Sequence, residues 1–488
     1  MKMTKVGRLF ISFTFFIVCS CNMKLNHDLL FYHSTPAFTA DPLEFDLVSN
    51  HIIYKSVFST LTNNYSSNGI KGVIAKGWTS SNSNKTWEFE IQDNLFFNNK
   101  DSIDAESVAT SFKRLIYKLN SLKSKDGILE YLVGFNDSKS PTDKVKGISV
   151  HGNILRMEFI KPMPNLANDL SFGLYSVVNK NDFDQNSGDW ISGLHGISSN
   201  QYEIIKANES EMVLKLRKDF GFEYGHNKKF DKIRISFNKN DINNSDMMLG
   251  TSFLKLPSEK FKYSGGLNYG ILFFRSISWT AKNSSLNSLE NRIAIREALY
   301  EELEKLGVKI TRSFFPLGLQ GVEEASKSKF LKNKKIGQVK YRNYGNLLYK
   351  NRDNLKLAFH KLNDENLRVE EVEVSSNVIN KELAPNLNSY SFDILTMSTG
   401  VQLEKPHEDI RFMVRSDRGI RLPDLDGSLG EIVSKDFQVE DVNKKIWEQA
   451  LVWPITHFSK GYIHKKHVDI SNITLLYPPV DFNWIGEK

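Results

Sequence analysis

The two cysteines of this 488-residue chain are Cys19 and Cys21, and none follows them. The 467 residues after Cys21 therefore offer no disulfide, thiolate zinc cluster or cysteine nucleophile. They must be held by apolar burial, hydrogen bonds and ion pairs alone. At this length such burial divides among two or three domains. Hydrophobic residues at 40% and charged residues at 25% are enough to supply it, and they exclude a disordered, collagenous or disulfide-stapled chain. Lys and Arg exceed Asp and Glu by 64 to 57, but the two signs are interspersed, so the charge leaves no nucleic-acid footprint.

Lys2, Lys5 and Arg8 precede an apolar run over residues 9–18. That run is shorter than the roughly 20 residues a membrane-spanning helix needs. A basic segment followed by a short apolar one is the layout of a secretory signal peptide. Val18-Cys19-Ser20-Cys21 resembles the bacterial lipobox, which makes residues 1–20 a lipoprotein signal peptide and Cys21 the lipid-attachment residue. A plain signal peptide cleaved nearby, or an uncleaved anchor, is the alternative. Diacylglycerol plus an amide-linked chain satisfies the need for more than one acyl chain in stable anchoring. With residues 1–20 removed, the basic-to-acidic balance becomes 61 to 57.

The rest of the chain alternates strand and helix patterns. Leu29–Tyr32 reads as a first strand, and Ile52, Ile53, Val57, Phe58 and Leu61 recur at helical spacing after Asp41-Pro42. Thr86–Ile91 alternates polar and apolar with period two, so 75–91 is a hairpin, and Asn94–Asn98 is a short extended piece. A helix capped by Asp104 turns Val108, Phe112, Leu115, Ile116 and Leu119 inward. Strands are expected at Ile148–Val150, Ile154–Phe159, Tyr202–Ile205, Met212–Leu216 and Ile233–Phe237, with a buried one within 268–277. A helix over 288–306 carries Leu289, Ile293, Leu299, Leu303 and Leu306 on one side and stops at Gly307, and another starts near Val439.

Seven elements between 41 and 116 stand in a recognisable order. They are Asp41-Pro42, Val57-Phe58-Ser59-Thr60-Leu61, Ala75-Lys76-Gly77-Trp78, Thr86–Ile91, Leu95–Asn99, Ala105-Glu106-Ser107-Val108 and Ser111-Phe112-Lys113-Arg114. This order resembles the extracytoplasmic solute-binding proteins of peptide-type ABC importers, the oligopeptide, dipeptide and nickel binding family (solute-binding protein family 5). Lys229–Ile233, Arg292–Leu299, Phe315–Gly318 and Trp453–His457 resemble later elements of the same family.

The resemblance implies an α/β, two-lobed periplasmic-binding-protein type II fold with an extra domain on the N-terminal lobe. It divides the chain into lobe I (21–50, 166–250 and 460–488), an extra domain inserted in it (51–165) and lobe II (251–459). Two strands would cross between lobes near Asn240–Leu256 and Pro454–Tyr462. It implies capture of a short peptide in the interlobe cleft and delivery to ABC permease subunits at the extracytoplasmic face of a bacterial membrane. The chain would be a monomer tethered through its N-terminal lipid, with no cofactor, no nucleic acid and no catalysis. Peptide binders of the family pair the ligand's α-ammonium group with an aspartate in a Trp-x-x-Asp-x-x-x-Pro loop. That loop aligns as Thr399-Gly400-Val401-Gln402-Leu403-Glu404-Lys405-Pro406, with Gln402 at the acid position, Thr399 at the aromatic one, and Glu404 as a substitute acid if the loop shifts. The changed anchor leaves two other readings open: the same fold taking a non-peptide solute, or a surface lipoprotein serving as an interaction module.

Phe274 and Trp279 are candidates for lining a cleft, with core packing the competing role. His464 and His467 are spaced for a metal on a helix, but flanking lysines and a strand context favour a solvated turn, and no metal is expected. His407-Glu408-Asp409 reads as a surface loop. The chain has neither a P-loop nor a Gly-x-Ser-x-Gly elbow, so hydrolase readings lack their motifs.

Overall fold

The computed structural model describes residues 28–33, 39–44, 51–66, 69–121, 128–222, 228–251, 256–328, 335–342, 352–373, 390–401, 406–415, 422–424, 426–435, 437–471 and 482–488. The strands that carry the architecture are β1 (Asp28–Tyr32), β2 (Ala75–Ser81), β3 (Thr86–Ile91), β4 (Ile148–His151), β5 (Ile154–Glu158), β6 (Tyr202–Ala207) and β7 (Glu211–Leu216). They continue as β8 (Lys232–Ser236), β9 (Met247–Thr251), β10 (Phe261–Ser276), β11 (Gly337–Arg342), β12 (Leu367–Glu371), β13 (Ile394–Val401) and β14 (Val452–Lys465). The helices are α1 (His51–Val57), α2 (Ala105–Ser121), α3 (Leu289–Lys305), α4 (Arg352–Lys361), α5 (Pro406–Arg415), α6 (Ser428–Ser434) and α7 (Val439–Gln449).

Ten strands form one sheet in the order β12-β11-β13-β10-β14-β9-β1-β8-β7-β6. Its two ends are separate α/β lobes. In lobe I, β1 runs parallel to β8 and β9, and Leu29, Phe31, Ile233, Ile235, Met247 and Tyr462 share one core. In lobe II, β11 runs parallel to β12 and β13. Strands buried on both faces read as near-continuous apolar runs. Accordingly Ile271, Phe273, Leu395 and Met397 face the core beneath α5, α6 and α7. Leu272, Phe274, Ile394 and Trp453 alternate with them to face α3 and α4.

The lobes are tied by β10 and β14, of 16 and 14 residues. Residues 261–265 of β10 pair with 461–465 of β14, and 269–275 pair with 452–459. The first crossing, expected near Asn240–Leu256, is thus made by β10. The strand inside that interval, β9, is a short lobe I strand between β1 and β14. The second crossing falls within the expected interval.

A four-stranded antiparallel sheet, β2-β3-β5-β4, stands apart from the large one. Phe89, Ile91, Leu155 and Met157 pack there against Val108, Phe112 and Leu115 of α2. The helix starts where Asp104 Oδ1 accepts from the Ser107 amide at 2.9 Å and Ser107 Oγ accepts from the Asp104 amide at 2.9 Å, a reciprocal cap. Arg114 then fastens α2 to lobe I. Its two terminal nitrogens donate to Asp41 Oδ1 and Oδ2 at 3.0 and 2.7 Å, and its Nε donates to the Gly188 carbonyl at 2.9 Å.

Helix α3 departs from its expected face. Leu289 is 42% exposed and Ile293 half-buried, while Arg292, Ile295, Arg296, Leu299, Tyr300 and Leu303 point inward. The arginines are admitted because their donors are met. Arg292 donates to the carbonyls of Leu286, Asn287 and Gln449. Arg296 donates to Glu297 and lies 3.5 Å over the Trp447 ring. Counting apolar residues alone misses a face built around guanidinium groups.

Candidate ligand-binding cleft

The carboxyl ends of the parallel strands converge on one level. In lobe I, β9 ends at Thr251, paired with Lys460. In lobe II, β13 ends at Val401, paired with Tyr269, which in turn pairs with Ser459. Strands of both lobes therefore aim their carboxyl ends at the same short stretch of β10 and β14 from opposite sides. In open α/β sheets ligands lie outside the carboxyl ends of the strands. Here two such ends face each other across the crossing.

Thr399 lies near this level. It is half-buried on β13, opposite Ile271 and two residues before the strand ends. Gln402 and Glu404 come soon after in sequence but lie outside the described residues, as do Cys21 and residues 1–20. His407, in the first turn of α5, is not a free loop histidine: its Nε2 is 3.0 Å from the Phe437 carbonyl and its ring packs on Phe437.

Phe274 and Trp279 do not join Thr399. Phe274 is fully buried and meets the Phe359 ring edge-on at 5.0 Å. It sits in the α3–α4 core because β10 is covered on both faces there. Trp279 is half-buried in a turn beyond the far end of β10, where Ser278 Oγ donates to Asp393 Oδ1 and Thr280 meets Tyr390. That is the amino end of the lobe II parallel strands, the opposite end from the crossing. His464 is also not a solvated turn residue. It is fully buried on β14, its Nδ1 2.9 Å from the Lys465 carbonyl and its Nε2 3.0 Å from Ser264 Oγ. Burial pushes its pKa down, and Lys262, Lys488 and His467 add to the shift.

Sequence patterning singles out neither of two further features. His457 stands on the same rung as Thr399, across Ile271, with Nε2 3.3 Å from the Phe314 carbonyl. Burial lowers its pKa below the ordinary imidazole value, so it is neutral at pH 7. The signal was present in Trp453–His457, whose final residue carries the only titratable side chain of the motif. The second feature is Lys161, 3.1 Å over the Tyr131 ring. Burial lowers its pKa, Glu130 opposes the shift, and Arg411 of α5 reinforces it.

Two α/β lobes are thus joined by a strand pair, with the strand ends of both turned toward the junction. Solved structures share this fold over nearly the whole chain. The murein tripeptide binding protein of Escherichia coli aligns at 14% identity and TM-score 0.69, covering 94% of this chain and 98% of its own. An oligopeptide-binding protein of Listeria monocytogenes, solved with peptide bound, aligns at 12% and 0.69, covering 95% and 99%. The NikA protein of Brucella suis, in complex with Fe(III)-EDTA, aligns at 13% and 0.65, covering 94% and 100%. No curated protein matches at the level of sequence. Residues 69–252 match the model of bacterial extracellular solute-binding proteins, family 5, middle region. By the match over this stretch and by the fold over nearly its whole length, the chain is similar to the family 5 solute-binding proteins.

Proposed function

We propose that this chain is the lipid-anchored, non-catalytic solute-binding component of an ABC importer, taking short peptides into the interlobe cleft and delivering them to a membrane permease. The observation that carries the reading is the convergence of both sets of strand carboxyl ends on the β10–β14 crossing. The division into lobe I (21–50, 166–250, 460–488), an inserted domain (51–165) and lobe II (251–459) belongs to the same proposal. It is supported by the separate core around α2 and the smaller sheet. Cys21 is the proposed lipid-bearing residue. Thr399, with Gln402 and Glu404 close after it in sequence, makes the proposed ligand-facing group of lobe II, a reading supported by the place of Thr399 near the carboxyl end of β13. A non-peptide solute is the second reading, favoured by the amide of Gln402 standing where an acid would pair an ammonium group.

The test is a thermal-shift screen against pools of tri- to hexapeptides, sugars and nickel chelates. A ligand that binds only the folded state stabilises it by about 2.7 kcal/mol at 100 times its dissociation constant. A shift confined to peptide pools supports the first reading, and one confined to sugars or chelates the second. Absence of a shift with every peptide pool refutes the first.

A further inference from the structure

The crossing strands meet at a line of glycines. Gly461 of β14 pairs with Gly250 of β9 on one side and Gly265 of β10 on the other. A Cβ on Gly461 would strike the Ser264 carbonyl, one on Gly250 the Ile463 side chain, and one on Gly265 the Tyr263 hydroxyl. Just past this line the register slips. Gly265 faces Gly461, yet the next rung pairs Tyr269 with Ser459, four residues on along β10 and two along β14. The extra residues interrupt the ladder where the lobe I rungs give way to those of lobe II, and a bulge of this kind lets a strand bend.

One side chain spans the interruption. Tyr263 belongs to the lobe I part of β10, packed against the cluster of Tyr32, Met248, Phe261 and Ile463. Its hydroxyl reaches over Gly265 and donates to the Ser459 carbonyl at 2.7 Å, with Ser459 Oγ at 2.9 Å. Ser459 sits on the first lobe II rung. A hydrogen bond anchored on both sides of a break must change when the lobes turn, whereas bonds within either ladder need not.

We propose that Tyr263 is the latch of an interlobe hinge running through Gly250, Gly461 and Gly265, holding the lobes in the arrangement seen here against a more open one. The proposal rests on the solute-binding reading, in which hinged lobes close over a ligand. It accounts for the side-chain-free line: bulk at Gly265 would evict the hydroxyl from its seat, and bulk at Gly461 would pry β10 from β14.

The test needs no ligand, so its failure is distinguishable from failure of the functional reading. In a full-length C19S/C21S background every cysteine is gone, and spin labels are introduced at two exposed turns through Glu209→Cys in lobe I and Glu365→Cys in lobe II. Pulsed electron resonance then reads the interlobe distances. Loss of one hydrogen bond corresponds to a two- to tenfold change in a two-state ratio, so Y263F is expected to raise the longer-distance population by about that factor. G265A should also raise it, since a Cβ there would strike both the hydroxyl and the ring of Tyr263. A distance distribution for Y263F identical to the parent overturns the proposal. Y263F removes a single oxygen, and an unchanged cooperative melt establishes that its lobes remain folded.

Discussion

The Asp41–Arg114 pair is the contact on which the family-like pattern of the first hundred residues should depend. Both side chains are nearly sealed, at 5% and 3% exposure. Arg114 also lies 5.0 Å over Phe183 and 5.5 Å over Trp190. Consider Asp41→Asn. An asparagine oxygen can keep the bond from the Leu43 amide, 3.0 Å in the parent, together with one bond from Arg114. It cannot balance the guanidinium charge or accept its second bond. Removing one partner of a buried pair costs about 3–5 kcal/mol, and the retained contacts put D41N near the lower end. With a urea m value of about 3 kcal/mol/M, the midpoint of the transition that includes α2 moves down by about 1 M. The control is Glu90→Gln, which breaks the Lys76–Glu90 pair, 60% and 54% exposed. An exposed pair is worth at most about 1 kcal/mol. Urea titrations followed by tryptophan fluorescence compare the two. Equal losses in D41N and E90Q would refute the assignment of Asp41–Arg114 as the fastening of α2 to lobe I.

Asp182 gives a pH test. It is fully buried, accepts from Ser192 Oγ at 2.6 Å and the Ile197 amide at 2.9 Å, and burial raises its pKa from 3.8 to about 6. The folded state therefore holds this proton more tightly than the unfolded one. The contribution is fully present below about pH 3.8 and is lost as pH rises through about 6. D182N should flatten the fall in stability between those limits by about 2–3 kcal/mol; chemical melts at pH 4 and 7 with equal slopes in both proteins would count against it. Phe274→Ala should cost about 3–5 kcal/mol as a core truncation while leaving the ligand affinity of the folded protein unchanged, so a Kd that rises with intact stability would return Phe274 to the cleft. Gln402→Asp should tighten binding of peptides with a free amino terminus and leave N-acetylated peptides unaffected in calorimetry. An unchanged affinity for both would show that position 402 does not face the ligand's amine.

Much of the scaffold could be read from the sequence because local rules and tertiary packing agree there. The alternation of Thr86–Ile91 survives as β3, with Phe89 and Ile91 in the core, and the Asp104 cap is made as its position suggests. The failures have distinct physical causes. In α3 the buried face includes two arginines whose partners, such as the Gln449 carbonyl, lie some 150 residues away, beyond the reach of any periodicity. The first crossing was set too early because β9 and β10 both look like short apolar strands. Only pairing shows that one stays within lobe I and the other spans both lobes.

The same comparison explains why the family is easier to recognise than the ligand. The recognisable residues turn out to hold the scaffold: Asp41 and Arg114 bind each other, Arg292 gathers the Gln449 carbonyl at the end of α7 with those of Leu286 and Asn287 ahead of α3, and Trp453 is fully buried with its indole N–H on the Ala450 carbonyl. Burying such groups leaves few acceptable substitutes, since an unmatched buried charge or donor is costly. Under the proposed reading, what selects a solute lies instead at the carboxyl ends of the lobe strands, where side chains can change without disturbing a core. Thr399, near the carboxyl end of β13, belongs to that second set, so a changed residue there is compatible with an intact fold. Under the proposed reading, Gln402 therefore bears on which solute is taken and leaves the fold untouched.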